Sequence, residues 1–302
     1  MSDPSPPRKI INVASVPQRS PFRYPGGKTW LIPHIRIWLR SLKPRPTVLV
    51  EPFAGGAIVG LTAGFERLVE RVELVELDDD VAAVWSVVLG EPDDAVWLCD
   101  RIVSFDVNPE SVRRTLAEPI GSVREQAFRT ILKNRTYHGG IMAKGSSLIK
   151  KGEQGRGIRS RWYPETLRRR IAHIQEMRSI FRFHRGDGLA YLETAADKPD
   201  HAFFIDPPYT AGTQGKRAGR RLYQHNDLDH ERLFRLASRL SGDFLMTYDQ
   251  SDEVLNLARR HGFETASIPM KNTHHDTMTE LLISRNLDWL QRGRTPNQPR
   301  LF

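Results

Sequence analysis

Four segments carry residue types whose spacing suits chemistry on a flat, amine-bearing ligand. The sharpest is Phe203-Phe204-Ile205-Asp206-Pro207-Pro208-Tyr209, an apolar run ending in an acid, two prolines and an aromatic ring. Consecutive prolines cannot continue a β-ladder and hold the chain stiffly. The Asp206 carboxylate, the Pro207 carbonyl, Pro208 and the Tyr209 ring are therefore expected together at the carboxyl end of a strand. Acceptors beside an aromatic platform suit an exocyclic amine on a heterocycle, because the amine donates hydrogen bonds while the ring stacks. The second segment, Glu51-Pro52-Phe53-Ala54-Gly55-Gly56, reads as a glycine turn between strand and helix, where backbone approaches a ligand closely and helical N–H groups are unpaired. Glu76, about twenty residues on, stands where a nucleotide-binding α/β fold keeps an acid for a ribose diol. Its neighbours Asp78, Asp79 and Asp80 read as helix-capping residues. The fourth segment, Arg23-Tyr24-Pro25-Gly26-Gly27-Lys28-Thr29, ends like a phosphate loop. That motif needs glycine at position 22, where Phe22 stands, which disfavours a P-loop NTPase. What remains is a tight turn that either presents Tyr24 and Lys28 to a pocket or carries a plain surface lysine.

The elements that must position these residues alternate. Thr47 to Val50 is a short β-branched run entered and left through prolines and glycines, the punctuation of a buried parallel strand. Ala57 to Glu66 suits a helix, Arg71 to Leu77 a strand, and Asp79 to Leu89 a helix with an acidic first turn. This opening predicts a doubly wound, Rossmann-like α/β fold. From Pro92 to Ile180 the texture is helical and polar. Strands then resume at Ile180–Arg185, His201–Ile205, Asp243–Tyr248, Glu264–Met270 and Glu280–Ser284, with helices at Asp229–Leu240 and Asp252–His261, the latter closed by Gly262. The last two strands have no helix between them, which predicts an antiparallel hairpin at the sheet edge. Residues 1–20 read as a flexible arm and residues 287–302 as a frayed tail.

The chain has 302 residues, 39% of them hydrophobic, with 45 Lys+Arg against 36 Asp+Glu. A chain of this composition buries a core, which excludes disorder along its whole length. Its single cysteine, Cys99, excludes an intramolecular disulfide and a cysteine-rich zinc site. No apolar run approaches the ~20 residues of a membrane span, and Met1 to Gln18 lacks the apolar stretch of a secretory signal, so the chain is expected to be soluble and cytoplasmic. The net charge of +9 is not spread evenly: residues 144–185 hold twelve Lys/Arg and three acids, an excess equal to that of the whole chain. Such a stretch suits a polyanionic partner.

Taken in order, Tyr24-Pro25-Gly26-Gly27-Lys28, Glu51-Pro52-Phe53-Ala54-Gly55-Gly56, Asp206-Pro207-Pro208-Tyr209 and Glu280-Leu281-Leu282-Ile283 resemble the Dam-type (D12 class) DNA adenine N6-methyltransferases, which use S-adenosylmethionine. The resemblance runs from about Pro21 to Asn286. It implies a catalytic methyltransferase domain over residues 21–92 and 180–286 and an inserted, mainly helical target-recognition domain over residues 93–179. It also implies cofactor binding by Tyr24, Lys28, Phe53, Ala54, Gly55, Gly56, Glu76, Asp187 and Asp206, with Glu76 in place of the family's usual Asp and Asp78 as the alternative acid. Asn134-Arg135-Thr136 resembles a target-domain motif.

The implied partner is double-stranded DNA, with adenine flipped out of the stack onto Tyr209 and its amine held by Asp206 and the Pro207 carbonyl. Direct displacement needs no enzyme nucleophile, and Cys99, in a helical stretch, reads as packing. The target-domain motif supplies Arg135 as a candidate DNA contact and the basic stretch supplies Lys144, Lys150, Lys151, Arg156, Arg159 and Arg161, joined by Lys216 and Arg217 after the Asp-Pro-Pro-Tyr turn. Arg168-Arg169-Arg170 suits phosphate contact. His274-His275-Asp276 lacks the spacing of metal ligands and reads as a surface loop. The alternatives are an N4-cytosine methyltransferase, whose amine is chemically similar, and a DNA-binding homologue that has lost catalysis.

Overall fold

A computed structural model describes residues 16–23, 27–138, 147–152, 155–208, 228–271 and 277–292. Seven strands form one sheet: β1 (Val48–Glu51), β2 (Arg71–Glu76), β3 (Phe181–Arg185), β4 (His201–Ile205), β5 (Asp243–Asp249), β6 (Glu264–Lys271) and β7 (Thr277–Ser284). Their order is β3-β2-β1-β4-β5-β7-β6. The first five are parallel, and β7 lies antiparallel between β5 and β6. The chain leaves β1 toward β3 on one side and returns to β4 on the other, so the switch in strand order falls between β1 and β4. In open α/β sheets the crevice outside the carboxyl ends at such a point is where ligands bind. The doubly wound fold and the antiparallel edge hairpin are as expected, with β7 starting at Thr277 and slotting inside β6.

Helices cover both faces: α1 (Ile32–Ser41), α2 (Ile58–Phe65), α3 (Asp79–Leu89), α4 (Pro92–Ser104), α5 (Pro109–Ala117), α6 (Val123–Thr136), α7 (Pro164–Glu176), α8 (Gly188–Thr194), α9 (His230–Arg239), α10 (Asp252–Arg260) and the short α11 (Trp289–Arg292). Strand alternation splits the core. Leu49, Phe204 and Leu245 point to the face shared by α1, α2 and α3, while Val48, Val50, Phe203, Ile205 and Met246 point to the face covered by α8, α9 and α10. Asp78 caps α3, its Oδ1 accepting from Asp80 and Val81 N–H at 2.9 and 3.1 Å, and Gly262 closes α10 at φ +69°.

Three expectations change. Helices of the 93–179 segment extend the first face: Leu98, Ile102, Phe128, Ile131 and Ile171 join the same apolar cluster as Leu49 and Phe204. Residues 16–20 are not a free arm, since Val16 is buried in that cluster and Arg19 reaches Glu66. The tail is anchored at its start by Leu287 and Trp289, both buried in the same cluster. In each case apolar side chains among polar neighbours decide the outcome, because burying even one of them is favourable by about 1.5–3 kcal/mol. Among the described residues no helix is long and apolar enough to cross a membrane.

Candidate active site

Asp206 directly follows β4, and Pro207 and Pro208 stop the strand from continuing. Asp206 Oδ1 accepts from Thr247 Oγ1 of β5 at 2.8 Å and lies 3.0 Å from Lys28 Nζ. The same ammonium lies 3.1 Å from Glu280 Oε1 of β7. Thr247 and Glu280 are buried, whereas the Asp206 side chain is 24% exposed, so the carboxylate forms the solvent-facing end of a buried ionic network. Lys28 opens a short 3-10 turn, Lys28–Leu31, that carries the chain into α1 and points its side chain at the sheet's carboxyl end. A surface-lysine reading of this turn is thereby overturned. Glu280 was legible only as part of a motif. Its signal was an acid in the otherwise apolar run Glu280-Leu281-Leu282-Ile283, since a buried carboxylate requires a partner.

The turn after β1 lies beside the ends of β2 and β3. Gly55 sits at φ +47°, a region glycine enters without strain. The Gly55 N–H donates to Glu76 Oε2 at 2.8 Å, the Gly55 carbonyl accepts from Trp85 Nε1 at 2.8 Å, and the Ala54 N–H pairs with the Val75 carbonyl. These N–H groups are thus used to lock the turn. Glu51 similarly caps α2, its Oε2 accepting from the Gly60 N–H at 2.8 Å. Burial pushes the Glu51 carboxyl well above the usual carboxylate range, and nearby Asp206 and Glu76 add to the effect.

Glu76 also accepts from the Asp78 N–H through Oε1 at 2.9 Å. Burial raises its pKa from 4.5 to about 7, against the lowering effect of the N–H groups. At the end of β3, the Gly186 N–H donates to the Glu76 carbonyl at 3.0 Å, and Asp187 caps α8 by accepting from the Leu189 N–H. Gly188 comes so close to the β1 turn that a Cβ there would stand 2.1 Å from the Pro52 carbonyl oxygen, whereas a Cβ on Gly186 would meet open space. Phe53, Ala54, Gly55, Gly56, Glu76 and Asp187 are therefore brought together at three adjacent strand ends. This donor set fits an adenosine-bearing cofactor: a carboxylate for a ribose diol, a second acid at a helix start, and glycines that keep the approach open. Tyr24 and Tyr209 lie outside the described residues.

The insert helices reach this site through the chain before Lys28. The Asn134 amide pairs with both backbone groups of Arg23: Oδ1 accepts from the N–H and Nδ2 donates to the carbonyl, each at 2.9 Å. Arg170 Nη1 donates to the Ser20 carbonyl at 2.9 Å, and Arg135 Nη2 donates to the Pro21 carbonyl. Arg135, expected on DNA, is instead 4% exposed and spends its guanidinium on this anchor. Burial, then the like charges of Arg170, Arg23 and Arg161, lower its pKa to about 9. Lys150, Lys151 and Arg156 are exposed, Arg161 is half-buried, and Arg159 bridges to Asp106 and to the Val107 carbonyl. Lys144, Lys216, Arg217 and the His274-His275-Asp276 loop fall outside the described residues. Cys99 packs against α7 with its thiol pKa pushed up to about 11 by burial.

A family model described as D12 class N6 adenine-specific DNA methyltransferase matches residues 24–274. No curated protein matches the chain. Among solved structures, similar chains include a candidate RNA methyltransferase from Pyrococcus horikoshii, at 13% identity and TM-score 0.38, covering 87% of this chain and 84% of that one. The rRNA methyltransferase aviRa from Streptomyces viridochromogenes matches at 15% identity and TM-score 0.36, over 90% of each chain. The tRNA methyltransferase TrmK from B. subtilis matches at 8% identity and TM-score 0.36, over 88% of this chain and 70% of that one.

Proposed function

The chain belongs to the D12 class N6 adenine-specific DNA methyltransferase family, and from that premise we propose that it transfers a methyl group from S-adenosylmethionine to N6 of an adenine flipped out of duplex DNA. The observation that carries the reading is the Asp206 carboxylate, fixed by Thr247 and Lys28 at the carboxyl end of β4 and still reachable from solvent. When bound, the cofactor supplies a methyl group on a sulfonium, which a nitrogen displaces directly without an enzyme nucleophile.

Glu76 would hold the ribose diol, Asp187 the adenine end of the cofactor, and the Phe53 to Gly56 turn the space between them. The target base is taken out of the stack at a cost of a few kcal/mol. Stacking on Tyr209 would offset about 1–3 kcal/mol of this. Its amine then donates to Asp206 and to the Pro207 carbonyl. These acceptors draw the nitrogen lone pair out of conjugation and oppose the positive charge that develops on N6, an interaction stronger in the transition state than in the ground state. The exposed Lys150, Lys151 and Arg156 would meet backbone phosphates.

The test is incubation with duplex DNA and methyl-labelled cofactor, followed by digestion to nucleosides. Label on N6-methyladenine, abolished by Asp206→Ala, is the expected result. Label on cytosine, or full activity in Asp206→Ala, overturns the reading.

A further inference from the structure

Lys28, Asp206 and Glu280 are far apart in sequence and meet on one ammonium. Lys28 Nζ is 3.0 Å from Asp206 and 3.1 Å from Glu280. The side chains of Lys28 and Glu280 are 4% and 2% exposed, so both lie behind Asp206 rather than beside it on the open side. A carboxylate so deeply buried is costly unless it is paired, and here it pairs with the lysine that already touches Asp206.

A lone lysine in this position would oppose the proposed reaction. As the N6–carbon bond forms and the sulfur–carbon bond breaks, the electron pair of the latter stays on sulfur and N6 becomes positive until it gives a proton to water. Asp206 helps only as far as its own negative charge is not cancelled, and a cation 3.0 Å away cancels much of it. With Glu280 on the same ammonium the three groups sum to one negative charge.

Resting on the adenine-methylation reading, we propose that Glu280 is a positioning residue that takes up the charge of Lys28, so that Lys28 and Thr247 fix the Asp206 carboxylate without neutralising it. Among the described residues, Glu51, Glu76, Tyr248 and His230 do not supply that counter-charge, and Asp249, opposite Glu280 on β5, is an exposed acid. On β1, burial of Glu51 favours its protonated form. Glu76 on β2 turns its carboxyl to the Gly55 and Asp78 N–H groups. Tyr248 on β5 is a buried phenol 2.9 Å from His230 Nδ1, and burial favours the neutral form of both, with Glu253 of α10 nearby.

Single-turnover methyl transfer separates this charge role from packing. Glu280→Gln keeps size and an acceptor oxygen but leaves the triad at net zero. It is expected to slow methyl transfer at least about ten-fold, while calorimetric dissociation constants for S-adenosylmethionine and for duplex DNA stay within about two-fold of wild type. The double variant Lys28→Met with Glu280→Gln restores the single negative charge and, at saturating cofactor, is expected to react faster than Glu280→Gln. Damage to packing would add rather than reverse. The double variant also buries no unpaired charge, so it keeps the test decisive if Glu280→Gln does not fold. A Glu280→Gln protein at the wild-type rate, or a folded double variant as slow as Asp206→Ala, overturns the proposal. Isotope-labelled lysine NMR on the ligand-free protein gives a readout independent of the reaction: a charged Lys28 ammonium, identified by its loss in Lys28→Met, is expected, and an uncharged Lys28 overturns the pairing. A wild-type protein that methylates cytosine or no base refutes the proposed reaction and leaves the NMR result to decide on Glu280.

Discussion

Glu76 ties two opposite pH dependences to one carboxyl. Burial at the end of β2 raises its pKa from 4.5 to about 7, which corresponds to about 3 kcal/mol at roughly 1.4 kcal/mol per tenfold change in proton affinity. Below the unfolded value both states hold the proton and the shift contributes nothing. Between the two values the folded state keeps a proton that the unfolded chain has lost, and above about 7 the full cost is present. Stability of the ligand-free protein therefore falls as pH rises through this window. With Glu76 in its proposed role, binding of the cofactor would run the other way, because the ionised carboxylate would accept both hydrogen bonds of a ribose diol. Affinity should rise to a plateau above about pH 7 and weaken by up to about ten-fold per unit below it. The assay is calorimetric titration with S-adenosylmethionine from roughly pH 5.5 to 8.5, with denaturant unfolding in the same buffers, for wild type and Glu76→Gln. Glu76→Gln should bind more weakly and lose the inflection. A wild-type affinity that is flat through this range, or an inflection that survives in Glu76→Gln, refutes the assignment of Glu76 to the cofactor.

Three further substitutions test how the site is held. Gly188→Ala places a Cβ 2.1 Å from the Pro52 carbonyl oxygen; it should cost at least about 1–3 kcal/mol in denaturant unfolding and weaken cofactor binding, because the β1 turn and the start of α8 must move apart. Asn134→Ala leaves the Arg23 backbone without its amide partner and should destabilise by about 2–4 kcal/mol, measured by urea unfolding, with slower methyl transfer as the segment before Lys28 loosens. In DNA-binding titrations against salt, Lys150→Ala with Lys151→Ala should reduce the log–log slope by about one for each lost phosphate contact, whereas Arg135→Met should leave the slope unchanged because its guanidinium is committed to Pro21.

The sheet was legible because its strands are short apolar runs bounded by proline, glycine and acids. His201–Ile205 matches the expected bounds, Arg71–Glu76 ends one residue early, and Val48–Glu51 is shifted by one residue at each end. Helix α1 was not read, although Ile32, Ile35 and Leu39 fall on one buried face, because Pro33 and His34 break up the visible pattern of a short segment. The candidate site was legible where its residues share a local motif, as around Gly55 and Asp206. It was not legible where tertiary contact decides. No local spacing shows that Lys28 and Glu280 meet, and the motif resemblance placed Arg135 on DNA although it stands on the buried side of α6 among Ile131, Leu132 and Asn134. The same limit applies to the helices of 93–179: their texture reads as helical and polar, and the few apolar residues on each that share the core of the sheet do not stand out.

In the proposed reaction Asp206 directs methyl transfer to adenine N6. Sequencing methylated bases in DNA from cells that lack adenine methylation and express the protein tests it most directly, because reaction and specificity are read together. N6-methyladenine at one recurring sequence is expected in cells expressing wild type and none in cells expressing Asp206→Ala. Methylated cytosine, or N6-methyladenine that persists with Asp206→Ala, would contradict it.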